Sequence, residues 1–187
     1  MIEALLKKIA QSLDKQQIPY MIIGGQAVLL YGTPRLTRDI DITLGADSES
    51  FPLLAEICSQ CDLKMLPDNP QTFAIQTRVL PAENVRSGIR IDFIFSFSNY
   101  EKHALERTKK VLIDDYPVKF ASCEDVLVHK MIAGRAIDRE DMKNILIKNK
   151  NKIDFAYVKK WLNEFSQIDE YKDIMQKFDE LLEQIKK

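Results

Sequence analysis

Two aspartates, Asp39 and Asp41, lie two residues apart in the apolar segment Asp39-Ile40-Asp41-Ile42-Thr43-Leu44. On a β-strand, residues two apart project from the same face, so this spacing predicts two carboxylates side by side. Neighbouring negative charges are costly unless a cation lies between them, and Mg²⁺ prefers oxygen ligands. The segment therefore predicts a divalent metal site. An edge strand with a solvated polar face is the alternative interpretation.

A glycine pair, Gly24-Gly25, follows the apolar segment Tyr20-Met21-Ile22-Ile23 and opens a helical segment. Glycine allows backbone N–H groups to approach an anion closely, and a helix N-terminus carries partial positive charge. The pair therefore favours a phosphate-binding turn beside the aspartates. A tight strand-to-helix turn without a ligand is the alternative.

A third carboxylate, Asp92, interrupts the apolar segment Gly88-Ile89-Arg90-Ile91-Asp92-Phe93-Ile94-Phe95. A charge in so apolar a strand is costly unless it is paired or bound to a metal, and Arg90 is the obvious structural partner. If this strand neighbours that of Asp39 and Asp41, three carboxylates converge. Such a cluster suits one or two Mg²⁺ ions, with the third carboxylate able to activate a hydroxyl nucleophile.

The glycine pair, the Asp-x-Asp strand and the distant third aspartate together resemble the DNA polymerase β-like nucleotidyltransferase superfamily. From Gly24 to Asp41 the chain looks most like its minimal bacterial and archaeal members, which include abortive-infection (AbiEii-type) toxin nucleotidyltransferases. A second block, residues 124–141 with Lys130 and Arg135, is similar to a helical stretch of that family. The resemblance covers about residues 18 to 150.

The resemblance implies an α+β nucleotidyltransferase fold, in which a mixed β-sheet is flanked by helices and an all-helical C-terminal part closes the nucleotide cleft. A catalytic core over residues 1–121 and a helical region over 122–187, within one compact unit, correspond to these parts. Many members carry Gly-Ser where this chain has Gly24-Gly25, so a hydroxyl that contacts phosphate is absent from that position.

The resemblance also implies roles for individual residues. Asp39 and Asp41 would ligate Mg²⁺ and position the triphosphate, and Asp92 would assist a second metal or the attacking hydroxyl. Contacts to the nucleotide are implied for Gly24, Gly25, Arg38, Lys130 and Arg135.

Each basic residue in that set has a structural alternative. Lys130 lies on an apolar helix face, from which its long side chain could extend to solvent, or it could lie in a salt-bridge network with Arg135. Arg135 could pair with Asp138 or Asp141, and Arg38 could be a charge at the edge of a strand.

The predicted activity is Mg²⁺-dependent transfer of NMP from an NTP to an acceptor hydroxyl on RNA, protein or a small molecule, with release of pyrophosphate. A catalytically silent binding or regulatory module is the main alternative, and a phosphohydrolase that uses water is a third. The resemblance also allows an antitoxin partner.

Composition narrows the class of protein. The chain has 187 residues, 45% of them hydrophobic and 29% charged, with a net charge of −1. Any contact with nucleic acid would therefore depend on a local patch. We expect a cytoplasmic protein, because the sequence has neither a long apolar segment nor a signal peptide. Cys58 and Cys61 lack a second ligand pair, which favours buried thiols over a zinc or redox site.

Periodicity and end signals predict the order of elements. A helix ending before Pro19, a strand over 20–23, a helix over 26–31, a strand over 39–44 and a helix from a Ser48 cap to Cys61 open the chain. Strands follow over 72–80 and 88–97, and then residues 112–120 form a hairpin or a turn into a short edge strand. Helices start near Ser122, Asp138, Asp154 and Asp169.

Overall fold

The computed structural model describes residues 2–96 and 98–185. Within those ranges the chain forms nine α-helices and seven β-strands. The helices are α1 (Ile2–Lys15), α2 (Gly24–Tyr31), α3 (Phe51–Gln60), α4 (Pro70–Thr77), α5 (Asn99–Glu106), α6 (Cys123–Ala133), α7 (Ala136–Asn149), α8 (Phe155–Phe165) and α9 (Ile174–Gln184). The strands are β1 (Tyr20–Ile23), β2 (Ile40–Leu44), β3 (Leu63–Met65), β4 (Val79–Asn84), β5 (Arg90–Phe95), β6 (Lys109–Ile113) and β7 (Tyr116–Phe120).

The chain divides into two compact units. A sheet unit contains residues 1–26 and 36–121, and a helical unit contains residues 27–35 and 122–187. Hydrogen bonds attach the early segment, residues 27–35, to the rest of the helical unit. The Lys148 ammonium donates to the Gly32 carbonyl oxygen at 2.7 Å, and the Asn149 amide donates to that of Tyr31 at 2.8 Å. Periodicity in the sequence did not indicate this return of the chain.

All seven strands form one mixed sheet in the order β3-β4-β5-β2-β1-β7-β6. The pairs β2–β5 and β1–β7 are parallel, and the remaining pairs are antiparallel. Along β2, Ile40, Ile42 and Leu44 on one face are at most 1% exposed, while on the other face Asp41 is partly exposed and Thr43 is buried. The predicted strand periodicity is therefore confirmed for β2, although β2 begins at Ile40 rather than Asp39.

The strand predicted over residues 72–80 is wrong. Pro70 instead occupies the first turn of α4, and Arg78 ends that helix in the left-handed conformation, with φ of 60°. The apparent alternation of apolar residues does not correspond to burial, because Phe73 and Ile75 are 38% and 51% exposed while Ala74 between them is buried. Proline at the start and a left-handed residue at the end override a weak strand pattern.

Three predicted helix starts also need correction. The last helix, predicted to start near Asp169, begins at Ile174, after a 3₁₀ turn over Asp169–Tyr171. Asp138 lies inside α7, which begins at Ala136, and its carboxylate accepts the Arg135 backbone N–H at 3.1 Å. Ser48 lies in a short 3₁₀ turn capped by Asp47, ahead of α3. β3 and α5 were not predicted, whereas the hairpin β6–β7 is confirmed.

Two of the predicted N-caps are confirmed. The Ser122 hydroxyl accepts the Asp125 backbone N–H at 3.1 Å, and the Asp154 carboxylate accepts that of Tyr157 at 3.0 Å. Both bonds satisfy helix N–H groups that have no partner within the helix. Residues 97 and 186–187, which ended two predicted elements, lie outside the described residues. Among the described residues, no helix is long and apolar enough to cross a membrane.

Candidate functional site

The turn from β1 into α2 holds Gly24 against the carboxylate of Asp41. Gly24 has φ of +60°, and a Cβ atom at this position would lie 2.7 Å from Asp41 Cγ and would overlap Oδ2. A side chain at residue 24 would therefore be strained and would displace the carboxylate. The sequence needs glycine here for both reasons, and Asp41 lies directly beside the first residue of α2.

Gly25 makes room for a different side chain. A Cβ atom at Gly25 would lie 2.9 Å from Thr37 Cβ and would overlap Thr37 Oγ1, whereas Thr37 Cγ2 is 3.4 Å away. The Thr37 side chain thus occupies the space of a residue-25 side chain, with its hydroxyl rather than its methyl group towards Gly25. A serine at position 25 cannot fit beside Thr37, which explains the second glycine.

Asp41 and Asp92 face one another across two adjacent parallel strands. Their Cα atoms are direct partners in the register of β2 and β5, so the two side chains lie on the same face of the sheet. Adjacent strands are about 4.8 Å apart. The Arg90 guanidinium donates to Asp92 at 3.1 Å, so the predicted structural partner of Asp92 is present. The face opposite the core therefore carries a carboxylate pair and one cation.

Asp39 and Arg38 precede this pair on the chain. Both side chains are exposed, and the register of β2 with β5 begins one residue later, at Ile40. The buried Gln26 of α2 donates weakly to the Asp39 carbonyl oxygen at 3.4 Å. Asp39 thus lies at the entrance of the strand that carries Asp41.

The carboxylate pair suits a metal ion that arrives with its substrate. Among the described residues, no group of three or more His, Cys, Asp or Glu side chains is placed to hold a metal ion. Mg²⁺ is commonly bound by one or two carboxylates together with substrate phosphates and waters, rather than by a complete protein cage. Two facing carboxylates beside a helix N-terminus match that donor set.

A cleft of about 530 Å³ continues this face of the sheet beyond Asp92. Pro81 of β4 is the direct partner of Asp92, so the row of side chains runs from Asp41 through Asp92 to Pro81, which lines the cleft. Phe73 and Gln76 of α4 also line it. Sequence reasoning missed this cleft because it predicted a strand where α4 forms.

The helical unit contains a separate cluster of charges. The Lys130 ammonium, 4% exposed, donates to Asp138 at 2.6 Å and to Asp141 at 2.8 Å. Arg35 binds Asp141 through two hydrogen bonds of 2.8 and 2.9 Å, and Arg135 donates to Asp138 at 2.7 Å. The salt-bridge network predicted as the alternative for Lys130 and Arg135 is therefore present, and the buried Lys130 side chain does not extend to solvent.

These hydrogen bonds decide the charge of the two buried aspartates. Burial alone would raise the pKa of Asp138, but hydrogen bonds from Arg135 and Lys130 outweigh it and lower the pKa. Burial opposes ionisation of Asp141 in the same way, and the bonds from Arg35 and Lys130 again lower its pKa. Both carboxylates are thus ionised at neutral pH and are neutralised by cations of their own unit.

The two cysteines at Cys-x-x-Cys spacing lie in the interior of the protein. Cys58 and Cys61 are free and buried, as the sequence favoured. Burial raises the pKa of Cys58 to about 12, so its thiol is protonated at neutral pH. A protonated thiol is a poor metal ligand and nucleophile.

Several known structures have a similar fold. The antibiotic-resistance factor ANT(2'')-Ia in solution gives a TM-score of 0.58 at 14% identity, covering 98% of this chain and 94% of that one. An antigenic nucleotidyltransferase-like protein from Paracoccidioides brasiliensis gives 0.58 at 16% identity, with 93% and 91% covered. The lincosamide antibiotic adenylyltransferase LnuA gives 0.53 at 17% identity, with 76% and 94% covered. These likenesses confirm the predicted fold class.

Comparison by sequence identifies the family. A search of curated proteins gives no significant match. A family model described as a nucleotidyltransferase of unknown function, DUF6036, matches residues 1–186. That match confirms the resemblance to nucleotidyltransferases, while the narrower likeness to abortive-infection toxins stays a prediction. The chain therefore belongs to the DUF6036 family of nucleotidyltransferases of unknown function.

Proposed function

We propose that this chain is a Mg²⁺-dependent nucleotidyltransferase that transfers NMP from an NTP to an acceptor hydroxyl and releases pyrophosphate. The observation that carries the proposal is the pairing of Asp41 with Asp92 beside the glycine turn. Two facing carboxylates suit a divalent cation, and the N–H groups of a helix's first turn favour phosphate. The family match supports the same reaction class.

Asp41 and Asp92, with Asp39 at the entrance of β2, would hold Mg²⁺. When bound, Mg²⁺ would neutralise charge on the phosphate oxygens during transfer. The first N–H groups of α2, at Gly24 and Gly25, would bind the triphosphate. Nucleotide contacts by Arg38, Lys130 and Arg135 stay predictions from the family resemblance.

In the proposed reaction, Asp92 acts as the general base. The acceptor oxygen forms a bond to the α-phosphorus as the bond from that phosphorus to the bridging oxygen breaks, and pyrophosphate leaves. The acceptor loses its proton, which the Asp92 carboxylate accepts. Asp92 suits this role because it lies between Asp41 and the cleft beside Pro81.

The acceptor would approach through that cleft, from the side opposite the glycine turn. RNA, a protein and a small molecule are the three acceptor classes. Two similar structures favour a small molecule: ANT(2'')-Ia was determined with adenylyl-2''-tobramycin, and LnuA is an adenylyltransferase with lincomycin bound. The likeness to abortive-infection toxins instead predicts that expression without an antitoxin arrests growth.

A labelling experiment tests the reaction. The protein is incubated with Mg²⁺ and each α-labelled NTP in turn, together with separated RNA, protein and small-molecule fractions of a cell extract. We expect label in one fraction, and loss of it with EDTA, Asp39→Asn or Asp41→Asn. Asp115→Asn, an exposed carboxylate on a turn of the same unit, is the matched control and should label normally.

Other outcomes would replace the proposal. No binding of any Mg²⁺–NTP in calorimetry indicates a silent module. Release of phosphate without a labelled acceptor indicates a phosphohydrolase. Full transfer by Asp41→Asn excludes the carboxylate pair as the reaction centre.

A further inference from the structure

We infer that the hydroxyl of Thr37 binds the triphosphate of the nucleotide, from the position that a residue-25 side chain would otherwise occupy. This inference rests on the proposed function and adds a residue to its site. Thr37 lies in the loop between α2 and β2, and residue spacing predicted no role for it.

The geometry at Gly25 carries the inference. A Cβ atom built on Gly25 meets Thr37 Oγ1 first, then Thr37 Cβ at 2.9 Å, and Cγ2 only at 3.4 Å. The threonine therefore presents its hydroxyl, and not its methyl group, to the first turn of α2. The N–H groups of that turn have no partners within the helix and point towards its N-terminus. An anion bound by those groups lies within reach of the Thr37 hydroxyl.

The hydroxyl is also available for a ligand. Thr37 is half-buried, and within the described ranges no hydrogen bond to its Oγ1 is found. A hydroxyl can donate one hydrogen bond, and a phosphate oxygen is a charged acceptor that makes such a bond short and strong. Asp41 lies on the other side of the same turn, against Gly24. Thr37 and Asp41 thus flank the two glycines.

Isosteric substitution gives the direct test. Thr37→Val keeps the shape and removes the hydroxyl, and we expect Mg²⁺–NTP binding in calorimetry to weaken about tenfold or more, as for a lost hydrogen bond to a charged group. Thr37→Ser should stay within about twofold of the wild type, since the donor remains. Thr33→Val, in the same loop, is the matched control and should bind normally. All variants should unfold at the same temperature.

An exchange of the two residues gives a second test. Gly25→Ser alone should lose NTP binding, because the new side chain overlaps Thr37. Gly25→Ser combined with Thr37→Gly returns one hydroxyl to the same space, and binding should recover to within about threefold of the wild type.

The results separate this inference from the proposed function. If the wild type binds no Mg²⁺–NTP, the proposed function fails. If the wild type binds and Thr37→Val binds equally well, the Thr37 inference is wrong while the proposed function stands. Weak binding by both Thr37→Val and Thr37→Ser also overturns the inference, because loss with the hydroxyl retained indicates a packing role.

Discussion

Two pairs of aspartates in this chain have opposite surroundings. In the helical unit, Asp138 and Asp141 are at most 3% exposed and are bound by Lys130, with an arginine on each. In the sheet unit, Asp41 and Asp92 are only partly buried and face one another across β2 and β5.

This difference distinguishes carboxylates that stabilise the fold from carboxylates that are placed to bind a ligand. The buried pair is neutralised within its own unit, so its substitution should change stability. In the sheet pair, Arg90 lies beside Asp92 and the first residue of α2 lies beside Asp41, an arrangement that suits a cation accompanied by phosphate. The comparison predicts four results that differ in size.

Removal of the Lys130 ammonium, which Asp138 and Asp141 share, should have the largest effect on stability. Lys130→Met leaves two buried carboxylates without their common partner, and we expect a loss of about 3–5 kcal/mol in the free energy of unfolding. Fluorescence of Trp161, the single tryptophan of the chain, reports denaturant unfolding of the helical unit.

Lys177→Met, an exposed lysine of the same unit, is the matched control and should change stability by less than about 0.5 kcal/mol. A Lys130→Met protein that is as stable as the wild type but fails to bind NTP would contradict the structural role. It would instead support the nucleotide contact implied by the family resemblance.

The addition of a methyl group at residue 24 should have the next largest effect, in this case on activity rather than on stability. Gly24→Ala forces a side chain onto Asp41 and should lower transfer by about 100-fold, as expected when a catalytic group is displaced. Rates of label transfer at saturating NTP measure this effect.

Gly88→Ala is the control for backbone strain. Gly88 also has positive φ, +65°, but nothing lies within 4 Å of an added Cβ atom. It should lose about 1–2 kcal/mol of stability and keep its activity. Equal loss of transfer in both variants would show that strain, and not the displaced carboxylate, accounts for the Gly24 effect.

Truncation of a side chain that lines the cleft should have a moderate effect, and only on the reaction with the acceptor. Phe73→Ala should lower kcat/KM for the labelled acceptor by about tenfold and leave KM for NTP unchanged, because Phe73 lines the cleft and not the glycine turn. Leu112→Ala removes an exposed apolar side chain from β6, at the far edge of the sheet, and should have no effect. A change in KM for NTP would place the cleft on the nucleotide side.

Acid should destabilise the helical unit modestly. The pKa values of Asp138 and Asp141 are lowered in the folded state, so their contribution is complete above the unfolded value of about 3.9 and is lost as pH falls through the folded pKa values. Urea unfolding followed by Trp161 should show a lower midpoint at pH 3 than at pH 7. Asp138→Asn should reduce that difference between the two midpoints. An unchanged difference would contradict the conclusion that the Asp138 carboxylate stabilises the helical unit.

The strongest sequence predictions depended on short-range rules. The alternation over 40–44 predicted β2, and the Ser122 and Asp154 caps predicted helix starts, because each pattern involves residues within one element. The prediction over 72–80 failed because an exposed helix begun by proline carries no burial pattern to read. Arg90 as the partner of Asp92 was also a short-range inference, two residues along one strand.

The sequence by itself determined the kind of chemistry: a glycine turn, carboxylates at strand spacing and a fold class. Only the tertiary structure decided which of these residues meet. The register of β2 with β5 places Asp41 opposite Asp92, and a shift of one residue would turn one of them to the buried face. Contacts distant in sequence likewise paired Lys130 with Asp141 and placed Thr37 against Gly25. Such contacts depend on packing between elements, which residue spacing along the chain does not encode.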